Sequence, residues 1–330
     1  MTEPVRIAIL GAARIAPAAL VRPAALVPGA EVVAIAARDR GRAEKFAAKH
    51  RLPVVHSSYD DLLADPSIEA VYNPLPNGLH AQWTLAAIAA GKHVLCEKPF
   101  TSNEAEAREV ADATDASGLV VMEAYHYRYH ALAEKMREIA HGGRLGEIRH
   151  VETAMCFPLP RFSDIRYDYA LGGGTSMDCC YAVHALRLVG PGEPTVTSAK
   201  ATLHGHDIDR AMETTYAFPS GATGRSITSM WSHRLLRFSV RVTGDRGEMR
   251  VRNFVAPQYY NRLAVTVDGQ TSAERVRGDA SYTAQLKAFV AAVREGAQFP
   301  TTARDAIVTM GIIDAIYRAA GLPIRGEKTA

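Results

Sequence analysis

The sequence predicts two domains of different class: an α/β domain with a doubly wound parallel sheet over 1–124, and an α+β domain with a large, mostly antiparallel sheet over 125–330. Three observations carry this. At 330 residues the chain exceeds the length at which a single hydrophobic core stops growing. Up to Glu123, short β-branched runs alternate with helical stretches of roughly 10–15 residues, the pattern of parallel strands joined by right-handed crossovers. From Ile148 onward, period-two alternation recurs without long helices between the runs, which suits antiparallel pairing.

Taken in order, Val5–Leu10 (VRIAIL) is short, β-branched and bounded by a turn, so it reads as a buried strand. Gly11-Ala12-Ala13-Arg14-Ile15-Ala16 follows, then an alanine-rich helical stretch to about Val27 in which Pro17 suits the first turn. Strands are expected at Glu31–Ala37, Ile68–Tyr72, His93–Cys96 and Leu119–Glu123, and helices at Gly41–His50, Leu79–Ala90 and Asn103–Ala116. Beyond them a helix runs to about Ala140, where Gly142, Gly143 and Gly146 stop it. Further strands are expected at His150–Phe157, Val196–His204, Glu213–Phe218, Thr223–Trp231 and Phe238–Gly244, with Gly244-Asp245-Arg246-Gly247 as a hairpin turn. One helix, Thr175–Val189, is inserted among them, and Ser281–Arg294 and Thr302–Ala320 are closing helices of the second domain.

Composition narrows the function. Hydrophobic residues at 48% and charged residues at 22% describe a globular protein. A formal charge of +3, without basic clusters, predicts neither nucleic acid nor an anionic membrane as partner. No apolar run is long enough to span a bilayer. Cys96, Cys156, Cys179 and Cys180 lack metal-ligand spacing and read as packing thiols in a reducing cytoplasm. The 12 histidines give no ligand-spaced pair within a predicted helix, so no metal is expected.

Doubly wound sheets bind ligands beyond the carboxyl ends of their strands, and Gly11, Arg38, Asn73 and Lys98 all fall at such ends. The glycine loop departs from the dinucleotide fingerprint Gly-x-Gly-x-x-Gly/Ala: its three positions are Gly11, Ala13 and Ala16. Gly11 still permits the tight turn and Ala16 close helix packing, while Ala13 adds a methyl where a pyrophosphate would approach. After the second strand, Ala37-Arg38-Asp39 places an arginine where a 2′-phosphate would sit, which favours NADP; Asp39 leaves room for NAD.

Pro74-Leu75-Pro76-Asn77-Gly78-Leu79-His80, then Gly91-Lys92-His93-Val94-Leu95-Cys96-Glu97-Lys98-Pro99, and later Ala170-Leu171-Gly172-Gly173-Gly174, together resemble the Gfo/Idh/MocA oxidoreductases. The likeness runs from Gly11 to Leu286 and is greatest to the branch of dihydrodiol and NADP-dependent D-xylose dehydrogenases. It implies a Rossmann-type first domain and a substrate-binding second domain whose sheet mediates homo-oligomerisation. It makes Lys98 the active-site lysine, preceding a cis proline, and places Asn77, His80 and Glu97 at the nicotinamide. The full expected cofactor set is Gly11, Ala13, Arg14, Ile15, Arg38, Asn73, Pro74, Leu75, Asn77, His80, Glu97 and Lys98. Chemistry agrees at Lys98, because a cation eases the alkoxide that forms when a hydroxyl sheds its proton.

In the second half, Pro158–Gly174 reads as a loop over a polar ligand, with Arg161 and Arg166 as substrate contacts. On the helix that follows, Met177, Tyr181, His184 and Leu188 share one face. Tyr181 is the expected general acid/base, since a phenol beside a cationic lysine gives up its proton more readily; His184 is the alternative. Asp178 departs from the family pattern, standing three residues before Tyr181 with Cys179-Cys180 in place of a glycine. Arg128 and His130 complete the expected substrate contacts. The expectation is an NADP-dependent dehydrogenase of a small polyhydroxylated substrate, a sugar or cyclic polyol. The alternatives are a trans-dihydrodiol dehydrogenase or carbonyl reductase and, in another class, a non-catalytic NADP-binding sensor.

Overall fold

The computed structural model describes residues 3–233 and 236–327. They form two compact units, Met1–Tyr129 with Tyr282–Ile307, and His130–Ser281 with Val308–Ala330. In the first, β1 (Val5–Leu10), β2 (Ala30–Ala36), β3 (Val54–Val55), β4 (Ala70–Asn73), β5 (His93–Cys96) and β6 (Val121–Glu123) make one sheet in the order β3-β2-β1-β4-β5-β6. Every pairing is parallel. The order reverses between β1 and β4, and a crevice at such a reversal is where doubly wound sheets take ligands. Side-chain caps start the helices: Asp39 for Arg40–His50, Ser58 for Tyr59–Ala64 and Asn103 for Glu104–Ser117.

Three features differ from expectation here. The two-residue β3 and the helix Tyr59–Ala64 were not foreseen, being too short to show a period. After the glycine loop the chain makes a π-helical turn, Pro17–Val21, in which the Arg22 N–H donates to the Pro17 carbonyl, and then the short helix Arg22–Ala24. Proline at 17 and 23 removes two N–H donors from what would be a regular ladder. The third concerns the 1–124/125–330 division, which put Ser281–Glu295 in the second domain. Leu286 and Phe289 instead share a buried cluster with Val5, Ile7, Ile9 and Leu95. Arg294 fixes the helix to Glu69 through bonds of 2.7 and 2.8 Å. An apolar helix face does not announce which core it fills.

The second unit's strands are β7 (Ile148–Cys156), β8 (Thr195–His204), β9 (Ile208–Ala217), β10 (Thr223–Ser229), β11 (Arg237–Gly244), β12 (Gly247–Arg252), β13 (Arg262–Val267) and β14 (Gln270–Glu274). They lie in the order β14-β13-β12-β11-β7-β10-β9-β8. β7 and β10 pair in parallel and the remaining pairs are antiparallel. The expected hairpin turn joins β11 to β12. β12 to β14 escaped the sequence pattern; β14 is exposed throughout, so nothing in it alternates. The inserted helix is two helices, Thr175–Asp178 and Tyr181–Val189, broken where Cys179 takes φ −93° and ψ 23°. Both thiols at the break are fully buried. All four cysteines are buried, and none is in a disulfide. Among the described residues, no helix is long and apolar enough to cross a membrane.

Candidate active site

In the first unit the expected cofactor residues gather at the carboxyl ends of β1, β2, β4 and β5. Gly11 has φ +91°, and a Cβ there would meet Leu75 Cδ2 at 2.9 Å. The loops after β1 and β4 therefore touch at the point where the strand order reverses, and only glycine fits. Ala13 is not among the residues at positive φ, and its N–H turns back to the Gly11 carbonyl at 2.9 Å. The missing second glycine thus costs the loop no backbone strain. Arg14 and Ile15 are exposed, so the loop's outer side is open to a ligand.

Arg38, exposed beyond β2, stands next to a carboxylate already in use: Asp39 accepts the Arg42 N–H at 3.0 Å as a helix cap. The Arg42 side chain reaches back to the Ala12 carbonyl at 3.4 Å. Tyr59 lies between these loops. Burial raises its phenol's pKa, against a bond donated by the Arg38 backbone N–H and the charges of Arg38 and Arg42. Neither Arg42 nor Tyr59 was singled out in the sequence. The run of arginines at 38, 40 and 42 was the signal for the first; Tyr59 gave none.

A web of buried bonds joins the β4 and β5 ends. Asn73 donates to the His80 carbonyl and to Thr84 Oγ1, each at 3.2 Å. Tyr72 O–H donates to Glu97 Oε1 at 2.6 Å. His80, 0% exposed, puts one ring nitrogen 2.7 Å from the Pro99 carbonyl and the other 2.7 Å from the Leu75 carbonyl. The ring's polar atoms are thereby committed to tying the Leu75 loop to the Lys98–Pro99 loop. Burial and the Lys98 charge together lower its pKa to about 4 despite the two carbonyls. The neutral ring donates to one carbonyl and abuts the other. Lys98 is half-buried, and the Lys98–Pro99 bond is cis.

His126, 3% exposed, is a residue the sequence reading passed over. Its ring lies 3.9 Å from that of Tyr282, centroid to centroid, and burial, helped by the Lys98 charge, lowers its pKa to about 3. Two uncharged imidazoles thus feel the Lys98 cation. Position was the available signal, since His126 follows β6 as Lys98 follows β5. Arg128, half-buried, continues the same turn.

In the second unit, Tyr181 and His184 are 3% and 5% exposed on the helix Tyr181–Val189. Met177 lies on the other side of the break, so the expected stripe holds only from Tyr181 onward. Asp178 pairs with Arg166, Nε to Oδ2 at 2.8 Å, and Arg166 also reaches Asp164 Oδ1 at 3.0 Å. The two carboxylates, Asp178 foremost, raise the guanidinium's pKa further. Arg161 is exposed and contacts Ser163 Oγ at 3.4 Å. His130 caps the helix Ala131–His141, its Nδ1 accepting the Leu132 N–H at 3.0 Å. This occupies one nitrogen of a ring expected to contact substrate.

Residues 5–125 match the NAD-binding Rossmann fold of the Gfo/Idh/MocA oxidoreductase family, and residues 133–250 match that family's C-terminal domain. The chain is 37% identical to D-xylose 1-dehydrogenase (NADP(+)) 2 of Haloferax volcanii, over 88% of this chain and 90% of the relative. It is 33% identical to mouse (Mus musculus) trans-1,2-dihydrobenzene-1,2-diol dehydrogenase, over 69% of this chain and 68% of that one. A crystal structure of a 3-ketoreductase from Actinomadura kijaniata with NADP and TDP-benzene superposes with a TM-score of 0.89 at 25% identity, covering 96% of this chain and 98% of the other. With both of the family's domains matched in a chain whose first sheet reverses beside Gly11 and whose second sheet is mostly antiparallel, the chain belongs to the Gfo/Idh/MocA family of oxidoreductases.

Proposed function

We propose that the protein is an NADP-dependent dehydrogenase of a sugar or cyclic polyol. The observation that carries the cofactor choice is the engagement of Asp39 as a helix cap. With Arg40 paired to Glu44 at 2.9 Å, it leaves Arg38 and Arg42 as charges beyond β2, which suit a 2′-phosphate better than a free 2′-hydroxyl. The names of the xylose dehydrogenase and the solved ketoreductase, both tied to NADP, support the same choice. Gly11, Ala13, Arg14 and Ile15 would take the pyrophosphate side, and the Leu75 and Lys98 loops the nicotinamide.

When bound, the cofactor supplies or receives a hydride. The chain's own part is proton chemistry. Tyr181 takes the hydroxyl proton in oxidation and returns it in reduction, while the Lys98 ammonium favours the alkoxide form of the reacting oxygen. Arg166, held by Asp164 and Asp178, orients substrate hydroxyls, with Arg128 assisting. Buried, uncharged His80 and His126 add no second positive charge beside Lys98. Self-association through the open face of the second sheet belongs to the same reading; a monomer in equilibrium sedimentation would remove that part.

Calorimetric titration tests the cofactor assignment. NADP binding tenfold or more tighter than NAD, about 1.4 kcal/mol, is expected, and equal or reversed affinities would overturn it. A screen of aldoses, cyclic polyols and trans-dihydrodiols then decides the substrate. The identity to the dihydrodiol dehydrogenase favours diol oxidation as the second reading, and turnover of diols alone would establish it over the first.

A further inference from the structure

The loop and helix that present Arg166, Asp178 and Tyr181 are anchored from beneath by charge that no part of the proposed chemistry uses. Arg325, beyond the last helix, is 0% exposed. Its Nε donates to the Gly173 carbonyl at 2.7 Å, and its Nη2 to the Asp207 carbonyl at 2.8 Å and to Asp209 Oδ1 at 3.1 Å. Its guanidinium lies 4.7 Å from the Tyr169 ring centre and 4.3 Å from that of Tyr317.

Asp209, also 0% exposed, turns its other oxygen to the start of the helix Thr175–Asp178. Oδ2 accepts the Ser176 N–H at 2.8 Å and the Ser176 hydroxyl at 2.7 Å. Between the two charges runs Gly174 at φ +131°, where a Cβ would stand 2.2 Å from Asp209 Oδ1. On the far side of this junction the Gly174 N–H bonds the Arg166 carbonyl at 2.9 Å, and Asp178 closes on Arg166. One continuous set of bonds therefore runs from Arg325 to Arg166 and Asp178.

A buried ion pair is a poor source of stability, and well-packed apolar residues of similar volume often serve as well. What it supplies is direction: a fork of donors and a two-oxygen acceptor fix backbone groups that apolar packing would leave free to slide. We propose that Arg325 and Asp209 are positioning residues for the reaction, a clasp through which the tail sets the Gly173–Asp178 junction and with it the Arg166–Asp178 pair and Tyr181. This rests on the reading of Tyr181 as acid/base, so the test includes a measurement that needs no substrate.

Amide hydrogen exchange across residues 164–181 is followed in wild type, Arg325→Ala and Arg325→Lys. The clasp predicts exchange faster by about tenfold in the alanine variant, partly reversed by guanidinium at sub-denaturing concentration and by lysine. NADP affinity, which depends on the first unit, stays within about twofold. With an active substrate, kcat falls by about tenfold or more and its pH profile shifts, because the proton-transfer group is displaced. Should Arg325→Ala not fold, Ser176→Ala and Tyr169→Phe, the latter removing a bond of 3.1 Å to the Ile324 carbonyl, are expected to move exchange the same way by less. Exchange unchanged in every folded variant overturns the clasp. Faster exchange in a protein that turns over no sugar or diol keeps the clasp and sinks the proposed function instead.

Discussion

The Lys98 loop and the Arg166 loop are both held rigid, but by different means. At the edge of the first sheet, the Leu75 and Lys98 segments are joined through backbone carbonyls facing a buried, uncharged imidazole. In the second unit, Arg166 is gripped by the carboxylates of Asp164 and Asp178. The contrast lies in which atoms are held. At the Lys98 loop the group held is backbone, the Pro99 carbonyl against the His80 ring. At the Arg166 loop it is a side chain, and paired carboxylates fix the orientation of a guanidinium. The two regions should therefore fail under different treatments.

The largest effect is expected at Lys98. Lys98→Ala should lower kcat by about a hundredfold to a thousandfold, the range for losing one preorganised electrostatic group. NADP affinity should change by no more than about threefold. Tyr181→Phe should cost a similar factor, and the double variant little more than either single one, since groups acting on one oxygen are not additive. Steady-state kinetics beside fluorescence titration of NADP checks this. Full additivity would mean that the two residues serve different steps.

Acid should strike the first region next hardest. Unfolded histidine titrates near its ordinary 6.5, whereas His80 and His126 in the folded protein are lowered to about 4 and about 3. Below pH 6.5 the unfolded chain takes up protons that the native rings refuse, so native stability is whole above that pH and is lost as pH falls toward 4. His80 alone accounts for roughly 3 kcal/mol by linkage. Urea unfolding at several pH values measures the slope. In His126→Phe, which keeps a ring against Tyr282, the slope between pH 4 and 6 should shrink by about one proton. An unchanged slope would mean that His126 is already charged in the native state.

Much of the first region was legible in the sequence, and the reasons are local. Strand ends are marked by turn residues, so Gly11, Asn73 and Lys98 could be set on one edge without a structure. The neutral character of His80 was not legible, because it depends on two carbonyls and full burial that only folding brings about. The capping role of His130 was not legible: histidine is an uncommon cap, and nothing in Tyr129-His130-Ala131 tells a cap from a ligand. The second region was harder to read. The helix break at Cys179 has no glycine or proline to announce it, and the partner of Asp178 lies twelve residues back, in a loop with no period.

A third prediction sharpens the difference between the two arginines of that loop. Arg166→Ala should raise KM for the sugar by about tenfold with a smaller change in kcat, a loss of binding shared by ground and transition states. Arg161, exposed and contacting only a serine hydroxyl at 3.4 Å among the bonds described, should tolerate alanine within about twofold. If Arg161→Ala proves the more damaging, the ion pairs organise the loop and the exposed arginine meets the substrate.

The smallest effect asks whether the first region also has a place where charge does the holding. Beyond β2, Arg38 is exposed, and Asp39 spends its carboxylate on the helix Arg40–His50. Arg38→Ala should therefore weaken NADP by about tenfold, about 1.4 kcal/mol, and leave NAD nearly unchanged, since NAD has no 2′-phosphate for the guanidinium to meet. Asp39→Ala should do the reverse of a specificity change: it should lower stability by about 1 kcal/mol through the lost cap while altering affinity for either cofactor little. Calorimetry and urea unfolding on the same two variants separate the cases. If Asp39→Ala instead lowers NAD affinity tenfold at unchanged stability, the carboxylate faces a ribose, the cap is incidental, and the edge of the first sheet selects its cofactor without using Arg38.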